Sequence, residues 1–171
     1  IVSENLSWSE FVKVNNYLYD LVGVKPVMTI SRNYPFDDVY THVLGYVSQP
    51  NENDILQNEI IQERFVPGMK VGKLGLEKTL ENLLIGTNDI QRYEVNAYGK
   101  RINQLDYQKG NQGSKIRLTL DTEVQKLSAK LLKDKAGSIS VMDIYTGEIV
   151  AMQSSPSYNP NLFLFGISKD E

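Results

Sequence analysis

The sequence predicts an α+β fold with antiparallel hairpins and several amphipathic helices. Three observations point there. Capping signals at Ser7 and Asp121 each precede an apolar stripe at helical spacing. Two alternating stretches, Ile90 to Leu105 and Ser138 to Gln153, each turn about a short Gly-containing segment. Hydrophobic content of 41% with 23% charged residues marks a chain that buries a core.

In chain order, Ser7-Trp-Ser-Glu10 is a capping box. The Ser7 hydroxyl can accept from the third helical N–H while Glu10 reaches back to the cap N–H. Trp8, Phe11, Val14, Leu18 and Leu21 then share one stripe, which Gly23 and Pro26 end. Val27 to Ser31 reads as a short strand. Tyr34 to Asp38 is a turn, because Pro35 fixes φ and Asp bonds its own backbone. His42 to Val47 reads as a strand or a buried extended run. After a polar loop at 49–54, Asp54 caps a second helix carried by Leu56, Ile60, Ile61 and Phe65 and stopped by Pro67-Gly68. Gly72 to Glu77 leads into a third helix, with Leu76, Leu80, Leu83 and Leu84 on one face and Gly86 past its end.

The pattern becomes strand-like from Ile90 to Leu105, with Ala97-Tyr-Gly-Lys100 as a hairpin turn. Tyr107 to Ser114 is rich in Gly, Gln, Asn and Lys and is the best candidate for a boundary. Ile116 to Leu120 alternates as a strand. Asp121 caps a helix with Val124, Leu127, Leu131 and Leu132 inward and Gly137 closing it. Ser138 to Asp143 and Glu148 to Gln153 form two strands about Tyr145-Thr-Gly147.

Composition excludes several function classes. With 171 residues and a net charge of -3, basic residues scattered, the chain has no nucleic-acid surface. It has no twenty-residue apolar run to span a membrane and no signal peptide. Lacking cysteine and holding one histidine, it has no thiolate or histidine metal site. It begins with Ile1 and is expected to be a piece of something longer.

Each suggestive motif has a plain reading. Gly68-Met-Lys-Val-Gly-Lys-Leu74 has three residues between its glycines and no hydroxyl at Leu74, so it fails as a phosphate loop, which needs four and a Ser or Thr. Its glycines suit a tight lead-in to a helix. His42 has no serine elbow and no second histidine near it, and is expected to bond a backbone group. Asp37 with Asp38, and Glu77 with Glu81, are expected to be solvated surface charges rather than acid–base pairs. Serine acyl transfer needs Ser-x-x-Lys, which puts nucleophile and base on one helix face. No serine here has lysine three positions on, and no Lys-Thr-Gly occurs. Ser157-Tyr-Asn159 matches Ser-x-Asn, but alone and between two prolines. No catalytic, cofactor or metal residue is assigned.

Eight or so segments, in order, carry a family resemblance. They are Asn5–Glu10, Arg32-Asn-Tyr-Pro35, His42–Val47, Gly72–Glu77, Asn82–Gly86, Glu94-Val-Asn96 with Gly99-Lys-Arg101, Leu118–Asp121, and Asp143–Asn161 followed by Leu162-Phe163 and Gly166–Ser168. The chain resembles class B penicillin-binding proteins, and within them the elongation type, penicillin-binding protein 2. That resemblance implies an elongated pedestal, residues 1–113, with a head at about 1–70 and part of an anchor at about 71–113. Residues 114–171 are then the first strands and helix of a transpeptidase domain, which stop before its nucleophile.

The implied role is non-catalytic positioning and docking within a peptidoglycan transpeptidase of cell elongation and shape. The implied parent is a serine-type D,D-transpeptidase, anchored by one helix on the periplasmic side of the inner membrane. Its substrates would be peptidoglycan stem peptides, and β-lactams would acylate it. Its partners would be a SEDS-family glycan polymerase and an MreC-type scaffold. The alternatives are a division-specific class B protein, a β-lactam sensor, or a free-standing interaction module.

Overall fold

The computed structural model describes residue 3, residues 6–26 and residues 31–164. It is a mixed helical and stranded fold, as the sequence predicts. The strands among the described residues form three separate two-stranded antiparallel sheets.

Helix α1 spans Trp8–Asn16 behind the predicted capping box. Glu10 N donates to Ser7 Oγ at 3.3 Å, and Ser7 N donates to Glu10 Oε2 at 2.8 Å. The helix stops sooner than the stripe predicts. Asn15 and Asn16 compete for backbone bonds and favour the turns that follow. The stripe is not a buried face: Trp8 is 74% exposed and stacks on Phe11. The strand expected at Val27 to Ser31 lies outside the described residues except for Ser31, which is in no strand.

Asp37–Val39 is a 3-10 turn, followed by α2, Thr41–Leu44. The sequence-based reading of His42 to Val47 as extended is therefore corrected over its first half. The Thr41 hydroxyl donates to Tyr158 O at 2.6 Å, which secures a helical turn at this point. Gly45 ends it at φ 76, and only then does β1, Val47–Ser48, begin. β1 pairs with β2, Val71–Gly72.

The expected second helix is two. In α3, Glu52–Gln57, the cap is Asn51, and Asp54 is its capping-box partner rather than the cap itself. In α4, Glu59–Arg64, the Asn58 side chain accepts from Ile60 N and Ile61 N. An asparagine that can cap breaks the run here. The expected third helix is also divided, into α5, Gly75–Thr79, and α6, Glu81–Leu84.

β3, Ile90–Val95, and β4, Arg101–Gln108, make the predicted hairpin. Asn96 Oδ1 accepts from Tyr98 N and Lys100 N and so shapes the tip. The polar stretch after β4 returns to the end of α6: Thr87 N donates to Asn111 O, and Ser114 N to Leu83 O. Ile116 to Leu120 forms no ladder, against expectation. Two bonds tie that end of the chain to its neighbour, Thr119 Oγ1 to Ile149 O and Asp121 N to Val150 O.

Asp121 caps α7, Thr122–Leu132, accepting from Glu123 N and Val124 N. Two of the expected inward leucines are corrected: Leu127 and Leu131 are each 55% exposed, Val124 and Leu132 are half-buried, and the buried side chains are Gln125 and Ser128. Asp134, at φ 62, takes the left-handed position after the helix, while Gly137 opens β5. β5, Gly137–Met142, pairs with β6, Ile149–Ser155, as predicted. The packed centre is small. Tyr34, Val47 and Leu164 cluster with Leu44, joining the early part of the chain to its far end.

Candidate functional site

Three distant stretches meet at one junction: residues 32–48, residues 71–84 and residues 151–164. Its centre is a pair of carboxylates. Glu77 on α5 and Glu81 at the start of α6 are 8% and 7% exposed. The sequence-based reading of this pair as solvated surface charge is overturned. The leucine stripe that placed them outward assumed one continuous helix. The break at Leu80 changes the facing, so Leu83 is 53% exposed while both glutamates turn inward.

Each glutamate has a defined set of partners. The Arg32 guanidinium grips Glu77 as a fork, with Nε 3.0 Å from Oε1 and Nη2 3.0 Å from Oε2. The buried Tyr34 hydroxyl donates to Glu77 Oε1 at 3.2 Å. Burial, and then the charge on Glu77, hold the Tyr34 phenol well above its usual range. Glu81 Oε2 accepts from the Gly72 amide at 2.6 Å. Burial above all, with Glu77 adding to it, pushes the Glu81 carboxyl up. Beside them Lys73 pairs with Asp54. Burial pushes the Asp54 carboxyl up, but its bonds from Lys73 and the Asn51 amide outweigh this, and its pKa is lowered.

The end of the chain locks onto this centre. Asn161 clamps the Tyr34 backbone, accepting from its N–H at 3.0 Å and donating to its carbonyl at 2.9 Å. Asp37 accepts from Asn159 at 2.9 Å, and Asp38 accepts from the Ser157 hydroxyl at 3.0 Å. That pair is exposed, as expected, yet it has work in holding the fold together. The Ser157–Asn159 match is thereby a fold contact to two aspartates. His42 Nε2 lies 3.0 Å from Pro156 O, the backbone partner that the sequence predicts. Tyr46 stacks on Phe163 at 4.2 Å, and Tyr158 meets both rings edge-on.

A second hub lies behind it. Gln125 is fully buried. Its Nε2 lies 2.8–2.9 Å from Val39 O, Met152 O and Gln153 Oε1, and its Oε1 accepts from Met152 N. Sequence reasoning missed both Gln125 and the glutamates. Glutamine at the fourth helical position carries no local mark of burial. The spacing of Glu77 and Glu81 just after Gly72 and Gly75 was the one available signal for the carboxylates.

Among the described residues, no group of three or more His, Cys, Asp and Glu could hold a metal, and no helix is long and apolar enough to cross a membrane. Away from the junction, Trp8, Tyr17, Tyr19 and Val22 present 65–96% of their surface on and just after α1. Such a run of exposed aromatic side chains is typical of surfaces that meet protein partners.

An α+β fold whose early, middle and late stretches meet at a buried ion-pair junction is the class of protein these features define. The penicillin-binding protein dimerisation domain family matches residues 1–118, and the chain belongs to that family. Peptidoglycan D,D-transpeptidase MrdA of Acinetobacter baumannii is 34% identical over 96% of the chain and 24% of its own length. MrdA of Escherichia coli K12 is 38% identical over 92% of the chain and 25% of its own length. The chain thus spans about a quarter of the curated relatives it matches. Among solved structures, penicillin-binding protein PBP2 of Helicobacter pylori, seen in complex with MreC, superposes with a TM-score of 0.81 at 31% identity. That match covers 99% of this chain and 31% of the other. PBP2 of Pseudomonas aeruginosa, in complex with WCK 5153, gives 0.66 at 29% identity, over 85% and 28%.

Proposed function

We propose that this chain is the pedestal of a peptidoglycan transpeptidase of cell elongation, with the opening strands of its catalytic domain. It positions and docks; it does not transfer acyl groups itself. Residues 1–113 form the pedestal, and residues 114–171 begin the transpeptidase domain. The parent is then a serine-type D,D-transpeptidase acting on stem peptides and acylated by β-lactams, held by one membrane helix on the periplasmic side of the inner membrane. Its partners are an MreC-type scaffold and a SEDS-family glycan polymerase.

The observation that carries this reading is the junction. Arg32, Tyr34, Glu77, Glu81 and Asn161 tie residues 32–34, 72–81 and 161 into one junction. A support of that kind fixes the height and direction of whatever is attached to it, and a partner that prefers one arrangement can bias it. The similarity to a penicillin-binding protein solved together with MreC supports the choice of scaffold partner.

Two measurements test the reading. Incubation with a fluorescent penicillin should leave this chain unlabelled, and covalent labelling would overturn the non-catalytic role. Titration with a purified MreC-type scaffold should saturate, and replacing Trp8 and Tyr19 together by alanine should weaken binding about tenfold or more, as loss of exposed aromatic anchors does. Absence of any binding would remove the docking role.

A further inference from the structure

The β3–β4 hairpin is fixed at its root and open beyond it. Asn88 Nδ2 donates to Arg64 O at 3.1 Å, and Thr87 N donates to Asn111 O at 2.8 Å. From there the ribbon continues as a sheet of two strands, a form that is marginal in water without something packed on it. Two register shifts leave Leu105 and Ile102 as extra residues of β4. A bulge sets two residues against one, so Leu105 joins Gln104 opposite Tyr93, and Ile102 joins Arg101 opposite Val95. Opposed residues share a face. Strict alternation along β4 would separate Ile102 from Leu105 and Tyr107, and the bulge at Leu105 brings the three together.

The ribbon is therefore two-faced. One side carries Tyr93, Val95, Ile102, Leu105 and Tyr107, of which the last four are 46–67% exposed. The other carries Arg92 with Asp106, 3.6 Å apart, and Asn103, which donates to Glu94 at 3.1 Å. Ile90, at the root, is the apolar exception on that side. Charges flank the apolar side at its two ends. The Arg101 guanidinium, toward the tip, sits 4.4 Å from the centre of the Tyr93 ring. Asp89, at the root, accepts from the Tyr107 hydroxyl at 3.3 Å and from Gly110 N at 2.7 Å. Leu105 lies midway between them, opposite Tyr93.

We propose that this apolar side of the hairpin is an interface between two copies of the chain, packed face to face about a two-fold axis at Leu105. A two-fold contact must be self-complementary: what residue i meets, its partner's residue i meets in return. Here one end of the face is cationic and the other anionic, with an apolar strip between. Two such faces laid antiparallel bring each Arg101 to the partner's Asp89 and bury Val95, Ile102, Leu105 and Tyr107 twice over. An anionic lipid surface would suit Arg101 but would be opposed by Asp89 on the same side. The family's description speaks of dimerisation without saying which surface two copies share, and the ribbon supplies one. A face only two strands wide is smaller than tight interfaces use, so the association is weak and rises with concentration.

Sedimentation equilibrium of the whole chain tests this. A monomer–dimer equilibrium that goes no further than two copies is expected. Leu105→Asp sets two like charges across the axis and Arg101→Glu sets carboxylates against each other, so each should raise the dissociation constant about tenfold or more. Asn103→Ala, on the polar side, should leave it unchanged. A second measurement does not depend on how well those variants fold. The chain has no cysteine, so Leu105→Cys supplies its one thiol, placed on the axis. Mild oxidation should link that variant into covalent dimers, and Asn103→Cys should stay monomeric under the same treatment. A chain that remains monomeric at its highest soluble concentration, a dimer indifferent to Leu105→Asp, or equal cross-linking from both thiol positions would overturn the proposal. So would a monomer that uses Leu105 to bind phosphatidylglycerol vesicles or a purified MreC-type scaffold, since the face would then belong to another occupant.

Discussion

Gln125 is a neutral side chain that fastens three elements at once. It joins α7 to the 3-10 turn through Val39, and to β6 through both backbone groups of Met152. In Gln125→Leu the volume is kept, but the Met152 N–H and two carbonyls lose their buried partner. Unpaired buried groups of this kind cost about 1–3 kcal/mol each, so we expect a loss of about 3 kcal/mol in urea-induced unfolding. The Lys73–Asp54 pair makes a different kind of prediction. Asp54 has a lowered pKa, so its contribution is present above its ordinary value of 3.8 and is lost as pH falls through the folded one. Thermal melts of Lys73→Met should therefore show a shallower loss of stability on the acid side than the unsubstituted chain.

Among the elements, α2 crosses the lead-in to α5 with no room to spare. Gly45 has φ 76, and a Cβ there would lie 2.0 Å from the Leu74 carbonyl oxygen. Opposite it, Gly75 has φ 59, and its added Cβ would lie 2.6 Å from Val43 O. Gly45→Ala combines about 1–2 kcal/mol of left-handed strain with a backbone-on-backbone clash that no rotamer change relieves. We expect it to abolish the cooperative melt, whereas Gly99→Ala at the hairpin tip, with open space around it, should cost no more than the strain. What the sequence makes legible at this scale is local. The caps at Ser7 and Asp121, and the turns at 97–100 and 145–147, depend on residues three or four apart. Two of the elements misread there depend on distant partners. The turn at Thr41 is held by Tyr158, 117 positions away, and the inward face of α5 by Arg32, 45 positions away. Residue spacing within an element carries no trace of either. The ordered family segments nevertheless marked the chain stretches that meet at the junction, without showing that they meet.

For the molecule as a whole, two groups set opposite trends with pH. Asp54 stabilises increasingly as pH leaves the acid range, and Glu81 decreasingly as pH climbs from 4.5. Stability of the whole chain should therefore pass through a maximum in mildly acidic solution, and a melting series across pH would show it. The clamp of Asn161 on Tyr34 has one more consequence. The partners are 127 residues apart. At ribosomal speeds of about 5–20 residues per second, roughly 6–25 seconds separate the synthesis of Tyr34 from that of Asn161. During that interval the nascent chain cannot finish its own base, because the keystone has yet to be translated. A ribosome halted before Asn161 should hold a product that protease cuts near Tyr34, and one halted well beyond it a product that resists.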